Sequence, residues 1–565
     1  MLQVIVSNNI RIRGASVPLK SALMTALTLD NPDYADRKKR RQPTYGLERV
    51  LHLYAYDMGD IVTGRGFLGQ LIALLRQQGV TPEKVIEYRY SDGLEMNYGP
   101  WNSAYLPRGE QSTAIEALVA GNGIVKAPAG AGKTLIGLAA IHRIGRAALW
   151  IAHTRELVDQ AIANAYKYMP SIGKVGRIAE GRVDWGTSGL IVAMVHALDE
   201  NPKLVDNLRQ TAGTVLVDEV HHFPAAMFER VVSKFESRHL KGVTATDERK
   251  DRLECVMYNG IGPILHTVDR QPLYDAGHLI KPTVEFVYTD YGDDPASQVS
   301  EFGAVDAGGE ELDYRELMDG LIEDEARNKL VAGKILDYAA NNYQVVLSES
   351  KRHLYVLKDM VERFAKTRWG VLPRITVIHG PTQQYGWRVC KGGEKEARRM
   401  VEMYQARRCR LHDFGEYKRW QVEVKLFSDE EIEIMQQTTN ERGSRLEAVR
   451  NRQIDILFAT FQLVKEGLDV PHLNVGHLAT PLRGDARDTS NGAGVEQAIG
   501  RIQRGDPQNP NKKAIWLDYV DYQVSIFKDQ YYSRRSVYKR LGIPLPKKLA
   551  TRTEQLDAFL GSIIW

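Results

Sequence analysis

Residues 127–134, with the sequence APAGAGKT, constrain the fold of this chain more than any other stretch. They continue the short, mainly apolar run that begins at residue 123, and they precede the apolar run 135–141, which is typical of a helix. A strand, a glycine-rich turn and a helix in this order arrange backbone N–H groups and the positive end of a helix dipole around phosphate oxygens. The sequence therefore predicts a site for a nucleoside triphosphate.

Two side chains at the end of this turn have the chemistry that a phosphate site needs. In the pattern G-x-x-x-x-G-K-[ST], Lys133 reaches the β- and γ-phosphates and Thr134 binds Mg²⁺. Ala127 stands where the pattern has its first Gly. The turn residues expected around the phosphates are Pro128, Ala129, Gly130, Ala131 and Gly132.

The composition is that of an ordinary globular protein. The 565 residues are 43% hydrophobic and 26% charged, and at about 150 residues per domain the length predicts roughly four domains. A net charge of +4 is too small to predict nucleic-acid binding, which must be argued from local clusters. Three cysteines cannot build a disulfide framework. Because no leader and no membrane-spanning stretch is evident, we expect a cytoplasmic protein without a membrane partner.

Beyond the glycine-rich turn, apolar runs alternate with helical patterns. Residues 147–152, 189–196 and 214–218 read as strands, and this rhythm predicts a parallel sheet covered on both faces, with ligands at the carboxyl ends of its strands. Asp218 and Glu219 follow one of these strands. A carboxylate there can hold Mg²⁺, and its neighbour can orient the attacking water.

About twenty residues upstream of the turn stands Gln111, preceded by Arg108. A Gln side chain presents both an acceptor and donors, which suits recognition of adenine. In isolation, Gln111 is equally compatible with the start of an amphipathic helix.

These stretches together resemble superfamily 2 helicases. Residues 127–134, the DEVH sequence 218–221 and the Thr-Ala-Thr sequence 244–246 are similar to motifs I, II and III, and Arg108 with Gln111 looks like the Q motif. The spelling most resembles the branch that contains XPB, RecG and the phage enzyme UvsW. Asp247 stands where that branch usually has Pro.

The second half of the chain continues the resemblance. Residues 466–471 look like motif V, and residues 497–504, with the pattern Q-x-x-G-R-x-x-R, look like motif VI. On a helix, Gln497, Arg501 and Arg504 share one face, because positions three and four apart are neighbours. Two permanently charged guanidinium groups on that face suit recognition of a γ-phosphate.

The predicted fold class is α/β, with two tandem RecA-like parallel-sheet motor domains and a small α/β accessory domain at the N-terminus. Its parts are a nucleic-acid-binding accessory domain (1–100), motor domain 1 (101–290), a linker (291–323), motor domain 2 (324–520) with an insert at about 381–440, and a helical tail (521–565) expected to pack against motor domain 2.

The sequence allows two interpretations for each of two basic stretches. The run 36–41 is either a solvated loop or a phosphate-contacting patch. The insert either binds a nucleic-acid strand through basic residues and aromatics such as Trp420, or forms a helical hairpin that packs those aromatics.

The resemblance implies roles for individual residues, with ATP and Mg²⁺ as cofactors. The implied catalytic residues are Lys133, Asp218, Glu219, His221, Arg501 and Arg504. The implied ATP-binding residues are Arg108, Gln111, residues 128–134, Gly467 and Asp469, and the implied metal ligands are Thr134 and Asp218. The residues implied to grip nucleic acid or couple it to ATP are Thr154, Arg155, Thr244, Thr246, Thr460 and Gln497.

The implied activity is that of an ATP-dependent DNA helicase or translocase that unwinds or remodels duplex or branched DNA, with 3′ to 5′ polarity. Its partners would be single-stranded, forked or branched DNA and proteins of replication, recombination or repair. Two alternatives stay open: an RNA helicase, and the motor subunit of a restriction, repair or defence complex that translocates without unwinding.

Overall fold

The computed structural model describes most of the chain in two compact bodies, whose main boundary falls between Ile280 and Lys281. The described residues are 2–39, 43–222, 227, 230–245, 254–292, 299–300, 303–304, 314–380, 385–389, 398, 408–413, 418–425, 428–465, 468, 470–482 and 492–546. Within these ranges, no helix is long and apolar enough to cross a membrane.

The first body begins with a small mixed sheet. Its strand order is β5-β6-β2-β1-β7, and β1 and β7 are the parallel pair. Alternate residues such as Val4 and Ile10 point into the core, where they meet Leu23 of α1 and Leu71 of α3. The elements are β1 (Gln3–Val6), β2 (Asn9–Arg13), α1 (Val17–Ala26), β3 (Thr28–Asp30), α2 (Pro32–Lys39), β4 (Val50–His52), β5 (Tyr54–Asp57), β6 (Asp60–Gly64), α3 (Leu68–Gln77) and β7 (Ile86–Tyr88).

Of the two alternatives for the basic run 36–41, the solvated loop is wrong for residues 36–39, because α2 extends to Lys39. Arg and Lys are good helix formers, and a charge count alone does not distinguish a solvent-exposed helix from a loop.

The larger sheet of the first body has eight strands in the order β11-β10-β12-β9-β13-β14-β8-β15. All neighbours are parallel except β10 and β11. The elements are α4 (Gly109–Ala120), β8 (Gly123–Lys126), α5 (Lys133–Ile144), β9 (Ala148–Ala152), α6 (Arg155–Tyr168), β10 (Gly176–Ala179), β11 (Arg182–Asp184), β12 (Leu190–Met194), α7 (Val195–Asp199), α8 (Pro202–Thr211), β13 (Thr214–Asp218), β14 (His239–Thr244), α9 (Glu254–Gly260), β15 (Ile264–Thr267) and α10 (Arg270–Asp275).

Helices cover both faces of this sheet and so bury its apolar strands. Trp150 of β9 lies in one of the two cores, where α5 passes over it. An added Cβ at Gly137 of α5 would lie 2.7 Å from the Trp150 ring, so the helix approaches the sheet this closely only with glycine at that position. The predicted parallel sheet covered on both faces is therefore confirmed.

Arg65 attaches the N-terminal sheet to the larger sheet. Its guanidinium donates to the backbone oxygens of Ser237 (2.6 Å) and Arg238 (3.1 Å), and its side chain lies 4.9 Å from the centre of the Tyr90 ring. Arg65 is only 4% exposed, and burial lowers its pKa to about 10. The donors of a guanidinium lie in a rigid plane, so a buried guanidinium can reach two carbonyl oxygens in only a few arrangements. Arg65 therefore fixes the orientation of the N-terminal sheet on the larger sheet.

The glycines on either side of Arg65 make this contact close. An added Cβ at Gly64 would overlap with the backbone oxygen of Asn259, and one at Gly66 would overlap with that of Tyr258, both on α9. The N-terminal sheet is therefore packed directly on the helix that follows the Thr-Ala-Thr stretch.

The second body contains a six-stranded, fully parallel sheet in the order β16-β26-β25-β19-β24-β20. Its main elements are β16 (Thr283–Tyr288), α11 (Tyr314–Glu323), α12 (Glu325–Asp337), β19 (Gln344–Ser348), α13 (Lys351–Trp369), β20 (Ile375–Ile378), α14 (Asp429–Asn440), α15 (Arg442–Arg450), β24 (Ile456–Thr460), α16 (Phe461–Lys465), β25 (Val475–Leu478), α17 (Gly492–Ile502), β26 (Ile515–Val520) and α18 (Ser525–Arg540). Two short strands, β17 (Val299–Ser300) and β18 (Gly303–Ala304), pair antiparallel.

Two predicted boundaries in this region are wrong. Thr283–Tyr288 pairs with Ile515–Val520, so this strand belongs to the second sheet and not to motor domain 1. The predicted linker contains α11, whose Leu317 and Leu321 are buried. A strand pattern does not identify the sheet that the strand joins, and a short amphipathic helix is easily missed beside a glycine-rich stretch.

The insert contains a small antiparallel sheet. Its strands are β21 (Tyr385–Val389), β22 (Arg408–Asp413) and β23 (Lys418–Lys425), in the order β21-β23-β22, so the alternative of a helical hairpin is wrong for these residues. Helix α14 begins with a capping box at residue 428. Ser428 Oγ accepts from the N–H of Glu431, and Glu431 accepts from that of Ser428.

Helix α18 packs against the second sheet through a buried polar network, as predicted for the tail. Arg534 pairs with Asp518 of β26 at 2.7 Å, and Tyr538 donates to the same carboxylate at 2.8 Å. Trp516 donates its indole N–H to the Tyr538 hydroxyl at 2.9 Å. Because every member has a partner, the network fixes the helix in one register.

We predict that Gly66→Ala destabilises the first body by about 1–3 kcal/mol, the usual cost of overpacking. Gly69→Ala is the matched control, because Gly69 lies in α3 and an added Cβ there meets nothing within 4 Å. It should be neutral or stabilising by about 0.5–1 kcal/mol through helix propensity. Denaturant unfolding of both variants is the measurement, and equal midpoints would contradict the close packing on α9.

Candidate nucleotide-binding site

The glycine-rich turn joins β8 to α5 as predicted. Gly130 and Gly132 both have φ of 85°, a left-handed conformation that favours glycine. Ala127 is fully buried and donates its N–H to the backbone oxygen of Thr244 at 2.8 Å, so the position that departs from the pattern continues the strand pairing and tolerates a methyl group. Lys133 and Thr134 begin the helix at the carboxyl edge of the sheet.

Gln111 contacts this turn directly. Its Nε2 donates to the backbone oxygen of Ala131 at 2.9 Å, and its Oε1 accepts from the N–H of Arg108 at 3.1 Å. The Arg108 side chain in turn lies 3.2 Å from Nδ1 of His278. The structure therefore brings Gln111 to the phosphate turn, whereas Arg108 contacts Gln111 and His278.

His278 is a site neighbour that the sequence analysis missed. Burial, and then the positive charge of Arg108, lower its pKa. Its only signal in the sequence is a position far downstream, in the stretch after α10, which no local pattern connects to Arg108.

The acidic pair lies beside Lys133. Asp218 ends β13 and is 4% exposed, whereas Glu219 has φ of 47°, an uncommon value for a residue other than glycine. Nζ of Lys133 is 3.2 Å from Oε1 of Glu219. Backbone strain of this kind persists where the surroundings hold it, and the contact with Lys133 is one of the interactions that hold Glu219.

The two carboxylates are electrostatically different. Burial, followed by the charge of Glu219, raises the pKa of Asp218 to about 7. Burial acts in the same direction on Glu219, but Lys133 and then His221 outweigh it and lower the pKa of Glu219 to about 2. Glu219 is therefore ionised at neutral pH and able to accept a hydrogen bond from water.

A further pair of contacts links the DEVH stretch to β14. Nδ1 of His221 lies 2.7 Å from Oγ1 of Thr244, and the N–H of Ala245 donates to Oε2 of Glu219 at 3.1 Å. The end of β14 therefore holds two members of motif II. Thr246 lies outside the described residues.

His153, directly after β9, interacts electrostatically with Glu219 and so belongs to the same group of titratable side chains. Burial lowers its pKa to about 4, with Glu219 acting against that shift and His196 with it. No sequence motif assigns His153 a role, although its position directly after the carboxyl end of β9 was a signal.

The donor set fits a magnesium ion that arrives with a nucleotide. Thr134 and Asp218 supply oxygen, the ligand type that Mg²⁺ prefers, and such ions usually keep waters and bind substrate phosphates. Among the described residues, no group of three or more His, Cys, Asp or Glu side chains could hold a metal by itself. The raised pKa of Asp218 indicates a buried carboxylate short of positive charge, which Mg²⁺ would supply.

Thr154 and Arg155 lie at the start of α6. Oγ1 of Thr154 caps the helix by accepting from the N–H of Leu157 at 3.3 Å. The Arg155 guanidinium forms an ion pair with Glu180 at 3.1 Å, and its side chain is 59% exposed.

Three of the predicted site residues of the second body are largely buried. Thr460 ends β24 and is 7% exposed, while Gln497 and Arg501 lie on α17 and are 5% and 9% exposed. The prediction that Arg504 shares this helix face is wrong, because α17 ends at Ile502. Gly467 and Asp469 lie outside the described residues.

We predict that Gly132→Ala weakens ATP binding about five- to 150-fold. The substitution imposes a strained φ of +85° and places a Cβ 2.7 Å from Nε2 of Gln111, and strain of this type costs about 1–3 kcal/mol. Titration with a fluorescent ATP analogue measures the change.

Gly145→Ala is the matched control, since Gly145 ends the same helix at φ of +65° and an added Cβ there meets only the Met96 oxygen at 3.5 Å. It should lower stability but leave ATP affinity unchanged. Equal affinity losses in both variants would contradict a specific role for the Gly132 turn.

Comparison with known proteins finds sequence similarity in the region of this site. Residues 105–249 match the model of the res subunit of type III restriction enzymes. A Rad25 protein of Halobacterium salinarum, named as a DNA 3′-5′ helicase, is 30% identical over 205 residues, which are 36% of this chain and 32% of that protein. The XPB helicase/translocase subunit of transcription and DNA repair factor IIH from Encephalitozoon cuniculi is 34% identical over 174 residues, 28% of this chain and 25% of that protein.

A solved structure, that of T4 UvsW, aligns with 95% of this chain and 97% of its own at 15% identity, with a TM-score of 0.36. The alignments to the two helicase relatives span a quarter to a third of those proteins. Since the family model and both relatives match in sequence, the resemblance to superfamily 2 helicases of the XPB and Rad25 type is confirmed for the part of the chain that they cover.

Proposed function

We propose that this protein is an ATP-driven motor that moves along DNA with 3′ to 5′ polarity and unwinds or remodels duplex, forked or branched DNA. The observation that carries the proposal is the contact chain from Gln111 through the phosphate turn and Lys133 to Glu219, His221 and Thr244. In these contacts we assign Gln111 to read the adenine base and Lys133 to bind the phosphates, and both are connected to the ionised carboxylate of Glu219 and to the end of β14. The names of the Rad25 and XPB relatives support DNA as the track and repair as the setting.

The ion pair between Lys133 and Glu219 suggests how nucleotide binding prepares hydrolysis. Lys133 exchanges the Glu219 carboxylate for the β- and γ-phosphates, because a triphosphate offers more negative charge than one carboxylate. Glu219 is then free to orient the attacking water, and its low pKa keeps it ionised. Thr134 and Asp218 would hold Mg²⁺, and the bound ion would supply positive charge that neutralises the charge developing on the transferred phosphate.

The coupling between ATP and DNA is assigned to the contacts of β14. A change at the γ-phosphate moves Glu219, and Ala245 and Thr244 follow because they are hydrogen-bonded to motif II. Thr154, Arg155 and Thr460 are proposed to hold the sugar-phosphate backbone, a contact that does not depend on sequence. Thr246 and Gln497 are proposed to participate in coupling, and Gly467 and Asp469 in ATP binding.

A second candidate is a motor that translocates without unwinding, as a subunit of a restriction, repair or defence assembly. The match of residues 105–249 to a restriction res subunit favours it. A strand-displacement assay on forked DNA separates this candidate from an unwinding helicase, because both hydrolyse ATP but only the helicase releases a strand.

The first experiment is steady-state ATPase activity with forked DNA, single-stranded DNA or RNA, for wild type and Lys133→Ala. Stimulation by DNA that the variant lacks supports the proposal. Stimulation by RNA alone would indicate an RNA helicase. An ATPase rate that none of the three nucleic acids changes would contradict the proposal that the protein is a nucleic-acid motor. Fork substrates with a single tail of either polarity test the direction of movement.

We predict that Arg501→Ala lowers the DNA-stimulated kcat by about 10³- to 10⁵-fold, because we propose that Arg501 and Arg504 stabilise charge on the transferred γ-phosphate, the role of an arginine finger. The KM for ATP should change far less.

Arg368→Ala is the control for this prediction. Arg368 forms a surface ion pair with Asp337 at 3.1 Å and is 52% exposed, so its loss should leave kcat unchanged. A folded Arg501→Ala variant that keeps wild-type turnover would contradict the assignment.

A further inference from the structure

Four charged side chains form a closed ion-pair cluster at the carboxyl edge of the first body's large sheet. They are Arg155, Asp159, Arg177 and Glu180, called the edge cluster here. Arg155 lies 3.1 Å from Glu180 and 3.5 Å from Asp159. Arg177 lies 3.1 Å from Asp159 and 3.6 Å from Glu180. Each guanidinium therefore faces both carboxylates, and the four charges cancel.

The chain holds Glu180 in this place at a conformational cost. Ala179 of β10 pairs with Arg182 of β11, so Glu180 and Gly181 form the two-residue turn between these antiparallel strands. Their φ values are 53° and 71°. Turns with both central residues in the left-handed region favour Asn or Gly, and glutamate is a poor choice for the first position. An unfavourable residue in a strained turn is a frequent feature of functional sites.

The position of the cluster indicates what it contacts. Arg155 is the first residue of α6, directly after the helix cap Thr154, and both are proposed above to hold a sugar-phosphate backbone. Arg177, on strand β10, reaches the same two carboxylates and so lies beside Arg155. Two adjacent guanidinium groups form a natural receptor for one phosphate, since guanidinium donors match the oxygens of both carboxylate and phosphate.

The ion pairs of the cluster are of the kind that a phosphate can replace. The side chains of Arg155 and Glu180 are 59% and 44% exposed, and ion pairs this open to water contribute little to stability. Exchange of one anionic partner for another therefore requires no unfolding of the turn or of α6.

We propose that Arg155 and Arg177 together bind one backbone phosphate of the DNA track, and that Glu180 is a built-in competitor whose carboxylate occupies this phosphate site in the free protein. The inference rests on the proposed function, and it adds Arg177 as a phosphate ligand and Glu180 as a residue that limits affinity. A motor that must release each phosphate to advance benefits from such a competitor, because the carboxylate replaces the phosphate as it leaves.

The test is nucleotide-free binding of labelled single-stranded DNA, measured by fluorescence anisotropy over a series of salt concentrations. Glu180→Gln keeps the size of the side chain but removes its charge, and should tighten binding about two- to fivefold, the fold-change that corresponds to one exposed ion pair. Arg177→Gln should weaken binding and reduce the slope of log affinity against log salt by about 1, the signature of one lost phosphate contact.

The matched controls are Glu116→Gln and Arg143→Gln, which remove either partner of an exposed ion pair of 2.7 Å between α4 and α5. Both should bind DNA as the wild type does. The proposal is overturned if wild type binds DNA while Glu180→Gln binds no more tightly and Arg177→Gln keeps the full salt slope. Absence of DNA binding by the wild type itself would overturn the proposed function as well, so the two failures are distinguishable.

Discussion

The ion pair between Lys133 and Glu219 is the interaction on which the first body's site depends. It joins the phosphate turn to the acidic pair, keeps Glu219 ionised in a buried place, and opposes the desolvation that would otherwise protonate it. Asp218 lies one residue away without the same compensation, and its pKa is raised. Two adjacent carboxylates therefore have different protonation behaviour and are suited to different roles, one toward a metal ion and one toward water.

Strand β14 connects this site to the N-terminal sheet. At its carboxyl end Thr244 contacts His221, and near its start Lys241 is buried, where desolvation and then the charge of Arg65 lower the pKa of Lys241 to about 7. The N-terminal sheet is thus a packed part of the first body and not a tethered arm.

Where prediction from the sequence succeeded, the evidence was local. The phosphate turn and the acidic pair are specified by neighbours a few residues apart, so their chemistry is visible in the sequence. The misplaced strand 283–288, the helix hidden in the predicted linker and the position of Arg504 beyond the end of α17 show the limit. Each depends on where a segment packs or stops, which neighbouring residues do not determine.

The sequence by itself determined the fold class, the order of the motifs and the chemistry of the predicted site, because these follow from residue type and spacing. Only the tertiary structure decided which distant groups meet: His278 beside Arg108, Arg65 under Tyr90, and Arg177 with Glu180 beside Arg155. Side chains from different strands and helices become neighbours only when the sheet is formed. Their electrostatic partners, and therefore their pKa values and ligand preferences, are properties of the folded chain.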